Sequence, residues 1–272
     1  MRIRSRRPVV HEEESYFVSM TDIMVGLLFV FIIMLMTFAL QYRKAEDRKK
    51  VETKKIESAE DLARQAKEEI LRAVADYLSR HGVTVYLDER QGVLRLREEM
   101  LFDRARADLS PRGREALARV AEGLSLILPC YVPERPPTCD GLPKAFLDAV
   151  FIEGHSDADS MRSGARFRDN LELSTARAAS TWRAIMGVDS DPTVEVPEGV
   201  QQAALILGSL RNRDGLPILS VSGYGAQRPV ATNDTEEGKR VNRRIDLRLL
   251  MATLKPEELE KLAHEIGAGA VP

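Results

Sequence analysis

Cysteine is scarce in this chain. Of 272 residues only Cys130 and Cys139 are cysteines, and neither lies near the N-terminal apolar run, which excludes a lipoprotein-type anchor. An excess of positive charge is also missing. The formal net charge of −2 argues against a dedicated nucleic-acid binder, so no direct nucleic-acid contact is expected. Four histidines are present, but none forms a second group that could join His155, Asp157 and Asp159 around a metal, so no metal or other cofactor is expected. His155 and Asp157 also lack a nucleophile with a credible base, which argues against a hydrolase or any other enzyme. No small-residue cleavage site follows the apolar run; Gln41, Tyr42, Arg43 and Lys44 come instead, the pattern of an uncleaved signal anchor. Residues 41–80 contain neither glycine nor proline.

What is present begins with one membrane-length segment, Asp22-Ile-Met-Val-Gly-Leu-Leu-Phe-Val-Phe-Ile-Ile-Met-Leu-Met-Thr-Phe-Ala-Leu40. Some ~19 residues at 1.5 Å each rise roughly 28 Å, enough to cross a hydrocarbon core. Asp22 is the only ionisable side chain in the run. An acid costs about 2.5–3.5 kcal/mol at the bilayer centre and less near an interface, so a chain that keeps one usually needs it to bind or relay an ion. The alternative is that Asp22 caps a helix start, and Ser19 and Thr21 beside it are equally open to an ion-coordinating or a capping role.

Orientation is ambiguous from charge. Arg2, Arg4, Arg6 and Arg7 precede the run and favour a cytoplasmic N-terminus, whereas Arg43, Lys44, Arg48, Lys49, Lys50, Lys54 and Lys55 follow it. Cys130 and Cys139 close a short proline-rich loop that suits a disulfide in an oxidising compartment such as the periplasm; free thiols are the alternative. A disulfide favours the first orientation.

The remaining pattern predicts an α+β protein: a cytoplasmic tail (1–20), a transmembrane helix (21–41), a helical linker (42–81), a mixed domain (82–252) and a C-terminal helix and tail (253–272). In the linker Val51, Ile56, Ala59, Leu62, Ala66, Ile70, Ala73, Val74 and Tyr77 recur at three- and four-residue steps. Such a narrow stripe either pairs two copies of the chain or docks on the following domain. Beyond Gly82, Val83–Leu87 and Val93–Arg97 read as a hairpin around Asp88-Glu-Arg-Gln-Gly92, and Ser110-Pro111 starts a helix reaching Leu128. Ala149–Glu153, Ile218–Val221 and Ile245–Leu250 read as strands, Leu171–Met186 as a helix, and Val200–Leu210 as an extra helix in an insertion. The order predicts helices on one face of a mixed sheet.

Four motifs follow one another: Phe151-Ile-Glu-Gly-His-Ser-Asp157, Asn170-Leu-Glu-Leu-Ser-Thr-Ala-Arg-Ala178, Val221-Ser-Gly-Tyr-Gly-Ala-Gln-Arg-Pro229, and Gly238-Lys-Arg-Val-Asn-Arg-Arg-Ile-Asp246. Together they resemble the OmpA-like peptidoglycan-binding domain over residues 82–252. The resemblance implies that Asp157 pairs with the ammonium, and Arg177 with the carboxylate, of a diaminopimelate centre. It further implies that Asn170 and Leu173 shape the pocket and that Arg244 contributes the second Arg of the Asn-Arg-Arg motif. Gly223 and Gly225 suit tight turning, and Asn242 and Arg243 are read as structural. The stretch between Asp157 and Asn170 and the insertion at 187–215 depart from the family pattern.

The front end, Glu14-Ser-Tyr-Phe-Val-Ser-Met-Thr-Asp-Ile-Met-Val-Gly-Leu-Leu-Phe-Val30, resembles flagellar stator B subunits and, closer still, the B subunit of the Zorya anti-phage defence system; the biopolymer-transport subunits ExbD and TolR share the membrane acid. The resemblance implies a single-pass inner-membrane homodimer within a pentamer of a multi-span A-type stator subunit, anchored to peptidoglycan. Asp22 would carry H⁺ or Na⁺, and cytosolic defence effectors would act through the complex. A flagellar-type stator and a passive peptidoglycan-binding tether are the alternatives.

Overall fold

A computed structural model describes residues 14–103, 105–139, 145–161, 164–188 and 195–252. The expected helix over 253–272 and most of the tail over 1–20 lie outside the described residues. The chain divides into two units, Met1–Ile56 and Glu57–Pro272. The boundary expected at residue 82 therefore falls inside the second unit.

Helix α1 runs from Glu14 to Arg80 without interruption, so the membrane-length apolar segment and the expected linker are one element. Absence of Gly and Pro between 41 and 80 removes the usual helix breakers. Gly82, at φ +75°, lets the chain turn away just past the end. Within the first unit every residue from Met20 to Leu40 is exposed, apolar on all sides, which is the surface a lipid environment covers. Thr37 satisfies its hydroxyl on the carbonyl of Met34, one turn back. Asp22 lies eight residues inside α1. It is therefore not a cap, and the capping explanation for Asp22 and Thr21 falls with it.

The second unit has its own core. The elements after α1 are β1 (Tyr86–Asp88), β2 (Val93–Arg97), α2 (Glu98–Leu101), α3 (Pro111–Ile127), β3 (Leu147–His155), α4 (Asn170–Ile185), α5 (Glu198–Ser209), β4 (Leu219–Gly223), α6 (Glu236–Asn242) and β5 (Arg244–Met251). The five strands form one sheet in the order β1-β2-β5-β3-β4, with β3 and β4 parallel and every other pair antiparallel. This is the mixed sheet of an α+β domain. The two short helices α2 and α6 were not expected from the sequence. At α3, Ser110 accepts a hydrogen bond from the Gly113 amide and Pro111 takes the first position, as its sequence predicts.

One sheet face builds the core. Leu94 and Leu96, Val150 and Ile152, and Ile245, Leu247 and Leu249 pack with Leu117, Val120 and Leu124 of α3, Ala178 and Ile185 of α4, and Ala203 and Leu207 of α5. Ile70, Leu71, Val74 and Leu78 of α1 join the same cluster, all at most 2% exposed. Of the two readings open for the linker stripe, its second half docks on the domain. Two glycines set how closely α4 lies on the sheet. Gly154 and Gly223 are register partners on β3 and β4. A Cβ on Gly154 would sit 2.0 Å from the Ser174 carbonyl oxygen, and one on Gly223 would sit 2.7 Å from the Thr175 backbone. Gly223 thus serves close packing, not turning; Gly225, at φ +55°, is the turn residue.

Because α1 supplies part of the core, a chain shortened to begin at residue 82 should fail to fold, whereas one beginning at Glu57 should unfold cooperatively in urea. Leu78→Ala should cost about 2–5 kcal/mol in the same measurement.

Candidate functional site

The site forms where four chain segments meet at one end of the sheet. Asp157 follows β3, and Asn170 and Arg177 lie on α4. Glu98 opens α2 directly after β2, and Arg243 links α6 to β5. Asp169 caps α4 by accepting from the Glu172 amide, which fixes Asn170 in the first turn. The Asn170 amide then donates to the carbonyls of Asp157 (3.1 Å) and Asp159 (2.8 Å), holding the loop after β3 against the helix.

The charges form an alternating row. The Asp157 carboxylate accepts from Arg243 Nη1 at 2.5 Å and from the Asp159 amide at 3.2 Å. Glu98 Oε1 lies 2.7 Å from Arg177 Nη2, and Glu98 Oε2 lies 4.0 Å from Arg243 Nε. The backbone ties the row together, because the Glu98 amide donates to the Arg243 carbonyl at 3.2 Å. Arg177 is only 2% exposed; its Nε donates to the Arg106 carbonyl (2.8 Å), and its guanidinium lies 5.5 Å from the centre of the Phe102 ring. Burial pushes the Glu98 carboxyl up against the pull of Arg177 and Arg243, and pushes the Arg177 guanidinium down against the pull of Glu98. At Arg243 burial is the largest influence and works downward, but the hydrogen bond and charge of Asp157 together with the charge of Glu98 outweigh it, so its pKa is raised.

Leu173 is buried in a small cluster with Ala107 and Phe167, against which Met161 and Ala176 pack. The stretch that departs from the family pattern thus supplies Met161 and Phe167 to the wall around Leu173. The second departure, carrying α5, packs on α3 and joins the main core through Ala203 and Leu207.

The helix-free sheet face carries a separate charged network. Strand alternation puts Arg95, Phe151, Glu153, His155, Arg244, Asp246 and Arg248 opposite the core residues. Arg244 Nε lies 3.0 Å from Asp246 Oδ2, and its remaining nitrogens donate to the carbonyls of Asn242 and Arg228. Arg248 Nε bonds both oxygens of Glu153, at 2.9 and 3.0 Å. His155 lies 3.4 Å from Asp246 and stacks on Tyr224, with ring centroids 5.2 Å apart. Burial pushes the Glu153 carboxyl up, but the His155 ring and the Arg248 guanidinium outweigh it and hold the group down at about 2. Burial raises the Asp246 carboxyl against Arg244, His155 and Arg95.

Donor atoms of Glu153, His155 and Asp246 lie within 4.8 Å of one another, the spacing of a possible cation site. The charge balance does not fit one. Arg248 and Arg244 already neutralise the two carboxylates, and a divalent ion would leave buried positive charge in excess. The grouping of His155 with Asp157 and Asp159 weighed from the sequence is not formed by His155, which belongs to this network.

No family model matches this chain, and no curated protein does. Among solved structures the chain is similar to a MotB-like protein from Desulfovibrio vulgaris, with 22% identity, 73% of this chain and 99% of that one covered, and a TM-score of 0.46. It is also similar to the cell wall anchor of the T6SS from Pseudomonas aeruginosa (22% identity, 67% and 96% covered, TM-score 0.41). The periplasmic domain of Helicobacter pylori MotB gives 19% identity, 66% and 84% covered, and a TM-score of 0.39.

Of the residues expected at the site, Asp157, Asn170 and Arg177 meet and Leu173 lies beside them, but Arg244 does not join. Arg244 and Asp246 are two apart on one strand and share a face, so Arg244 pairs within the sheet and Arg243 turns to Asp157. Arg243, read from the sequence as structural, is a site residue, whereas Asn242 is structural: it accepts from the Val230 and Ala231 amides and holds that loop. Glu98 was missed altogether. Its signal was faint, since a carboxylate after a strand is ordinary until its buried partners are known. Cys130 and Cys139 are joined as a disulfide, with Cα atoms 5.5 Å apart.

Glu153 has a depressed carboxyl pKa, so its contribution is present above the ordinary value of 4.5 and lost as pH falls toward about 2. Glu153→Gln should therefore cost on the order of 1–3 kcal/mol at pH 7. Urea unfolding at stepped pH should show the gap to wild type closing between about pH 4.5 and about pH 2.

Proposed function

We propose that this chain is a peptidoglycan-anchored, ion-carrying stator-type subunit of the bacterial inner membrane. The observation that carries the reading is Asp22: one carboxylate at the head of an exposed, membrane-length apolar segment, eight residues past the start of α1 and so without a capping role. Such a group favours ion binding, because neutralisation by H⁺ or Na⁺ removes the cost of a charge in the membrane. Binding and release at Asp22 would bias the span between two positions, and two copies acting alternately would step a surrounding ring of partner subunits. Thr21 and Ser19 would assist the ion from the same helix.

The Cys130–Cys139 disulfide supports a C-terminal part in the oxidising periplasm and hence an N-terminus in the cytoplasm. Asp157 and Arg177 supply opposite charges at one site, as a zwitterionic diaminopimelate centre on the cell wall requires. Holding the dimer to the wall lets ion flow turn the partner instead of the anchor. The wording of the segment Phe17–Val30 favours a Zorya-type defence complex, with a homodimer of this chain inside five multi-span partners and cytosolic effectors downstream. A passive wall tether is the second reading, supported by the same Asp157 site without use of Asp22.

The test compares wild type, Asp22→Asn and Asp157→Asn at equal protein levels in cells carrying the whole operon. Asp22→Asn should abolish phage protection while sedimentation with isolated cell-wall sacculi stays unchanged. Asp157→Asn should lower that sedimentation by about tenfold, the loss of one charged contact. Full protection with Asp22→Asn would leave the tether, and restored swimming in a stator-deleted strain would return the chain to the flagellar class.

A further inference from the structure

The two groups that would recognise a zwitterion are both occupied by the protein itself. Asp157, the acceptor for an ammonium, holds the Arg243 guanidinium, and Arg177, the donor for a carboxylate, holds the Glu98 carboxylate. The order along the row is Asp157 (−), Arg243 (+), Glu98 (−), Arg177 (+), with Arg243 and Glu98 themselves 4.0 Å apart. The inner pair therefore presents one cation and one anion side by side, as an amino acid centre does. We infer that Glu98 and Arg243 are internal surrogates for the ligand, and that the wall peptide enters by exchange with them. This rests on the wall-binding reading above.

Three features make the exchange physically accessible. First, it conserves charge: ligand carboxylate replaces Glu98 at Arg177, and ligand ammonium replaces Arg243 at Asp157, so neither buried group is left unpaired. Second, the Glu98 amide donates to the Arg243 carbonyl, one step past the Arg97–Arg244 pair of the β2–β5 ladder, so the backbones hold the two surrogates beside each other as one latch while their side chains are the parts that turn out. Glu98 opens a four-residue helix whose N-cap, Arg97, makes no side-chain cap bond, and Arg243 is 29% exposed at its side chain, with a path to solvent. Third, the closed state is not relaxed. Among the described residues Glu98 Oε2 is buried without a hydrogen-bond partner, and Ala105, one residue before the carbonyl that holds Arg177 Nε, sits at φ +58°. An orphaned buried carboxylate oxygen is a cost of the closed state that turning Glu98 out to solvent removes.

Exchange sets specificity. A ligand with a free carboxylate and a free ammonium on one carbon displaces both surrogates. One whose carboxylate is amidated cannot compete with Glu98 for Arg177, and the latch stays shut. The closed population also lowers apparent affinity by the fraction of molecules that are open.

The measurement is calorimetric titration of the detergent-solubilised full chain with a muropeptide carrying a free diaminopimelate centre, and with its amidated counterpart. Glu98→Gln should bind the free form roughly 5- to 10-fold tighter than wild type, because the competing charge is gone. Asp157→Asn should bind it weakly, and wild type should prefer the free over the amidated form. If Glu98→Gln misfolds in a melting control, Glu98→Asp, which draws the carboxylate back from Arg177, should shift affinity in the same direction by less. Unchanged or weaker binding by the folded Glu98 variants, with Asp157→Asn still defective, would overturn the exchange while the wall-anchor reading stands. Equal binding by wild type and Asp157→Asn, or none by any variant, would overturn both.

Discussion

Strand β5 lies between β2 and β3, and its alternation of Arg244, Asp246 and Arg248 with Ile245, Leu247 and Leu249 decides both faces of the sheet. The apolar set points into the core shared with α1, α3, α4 and α5. The charged set builds the opposite face with Arg95, Glu153 and His155. A shift of one residue in register would exchange the two sets and bury three charges among leucines, so the pairing is strongly specified. The same alternation places Arg243. Standing just before the strand, it is released from the sheet and meets Asp157.

The two charged groups of the domain use burial differently. On the sheet face, Arg248 and Arg244 meet Glu153 and Asp246, so the ions are compensated where they sit and their role is structural. At the end of the sheet the row from Asp157 to Arg177 is also paired, but its members come from four separate segments, one of them the short, uncapped α2. A pair within adjacent strands cannot separate without breaking the ladder. A pair between a loop, a short helix and α4 can. The exchange proposed above would therefore need side-chain movement at the site and leave the ladder beneath it intact.

Helix α1 contributes to both units in chemically distinct ways. From Met20 to Leu40 it shows apolar side chains on every side, the composition that a bilayer accepts. From Ala59 onward only a stripe is apolar, and Ala66, Ile70, Leu71, Val74 and Leu78 bury it in the domain core. One helix thus carries two kinds of surface, and the change from all-round to striped hydrophobicity marks where each begins.

The residues alone specify an apolar segment of membrane length with its lone Asp22, the α+β order, the Ser110-Pro111 helix start, and the grouping of Asp157, Asn170 and Arg177. These are local signals: a run of apolar residues, a period of two or 3.6, a cap, a motif. Tertiary structure alone decided the rest. It ran α1 through Asp22, chose docking for the linker stripe, turned Gly223 from turning to packing, and gave the site Arg243 and Glu98 in place of Arg244. Each of these depends on which distant groups come within a few ångströms. Glu98 and Arg177 are far apart in sequence, and nothing in the pattern around either shows that burial will force the two charges together.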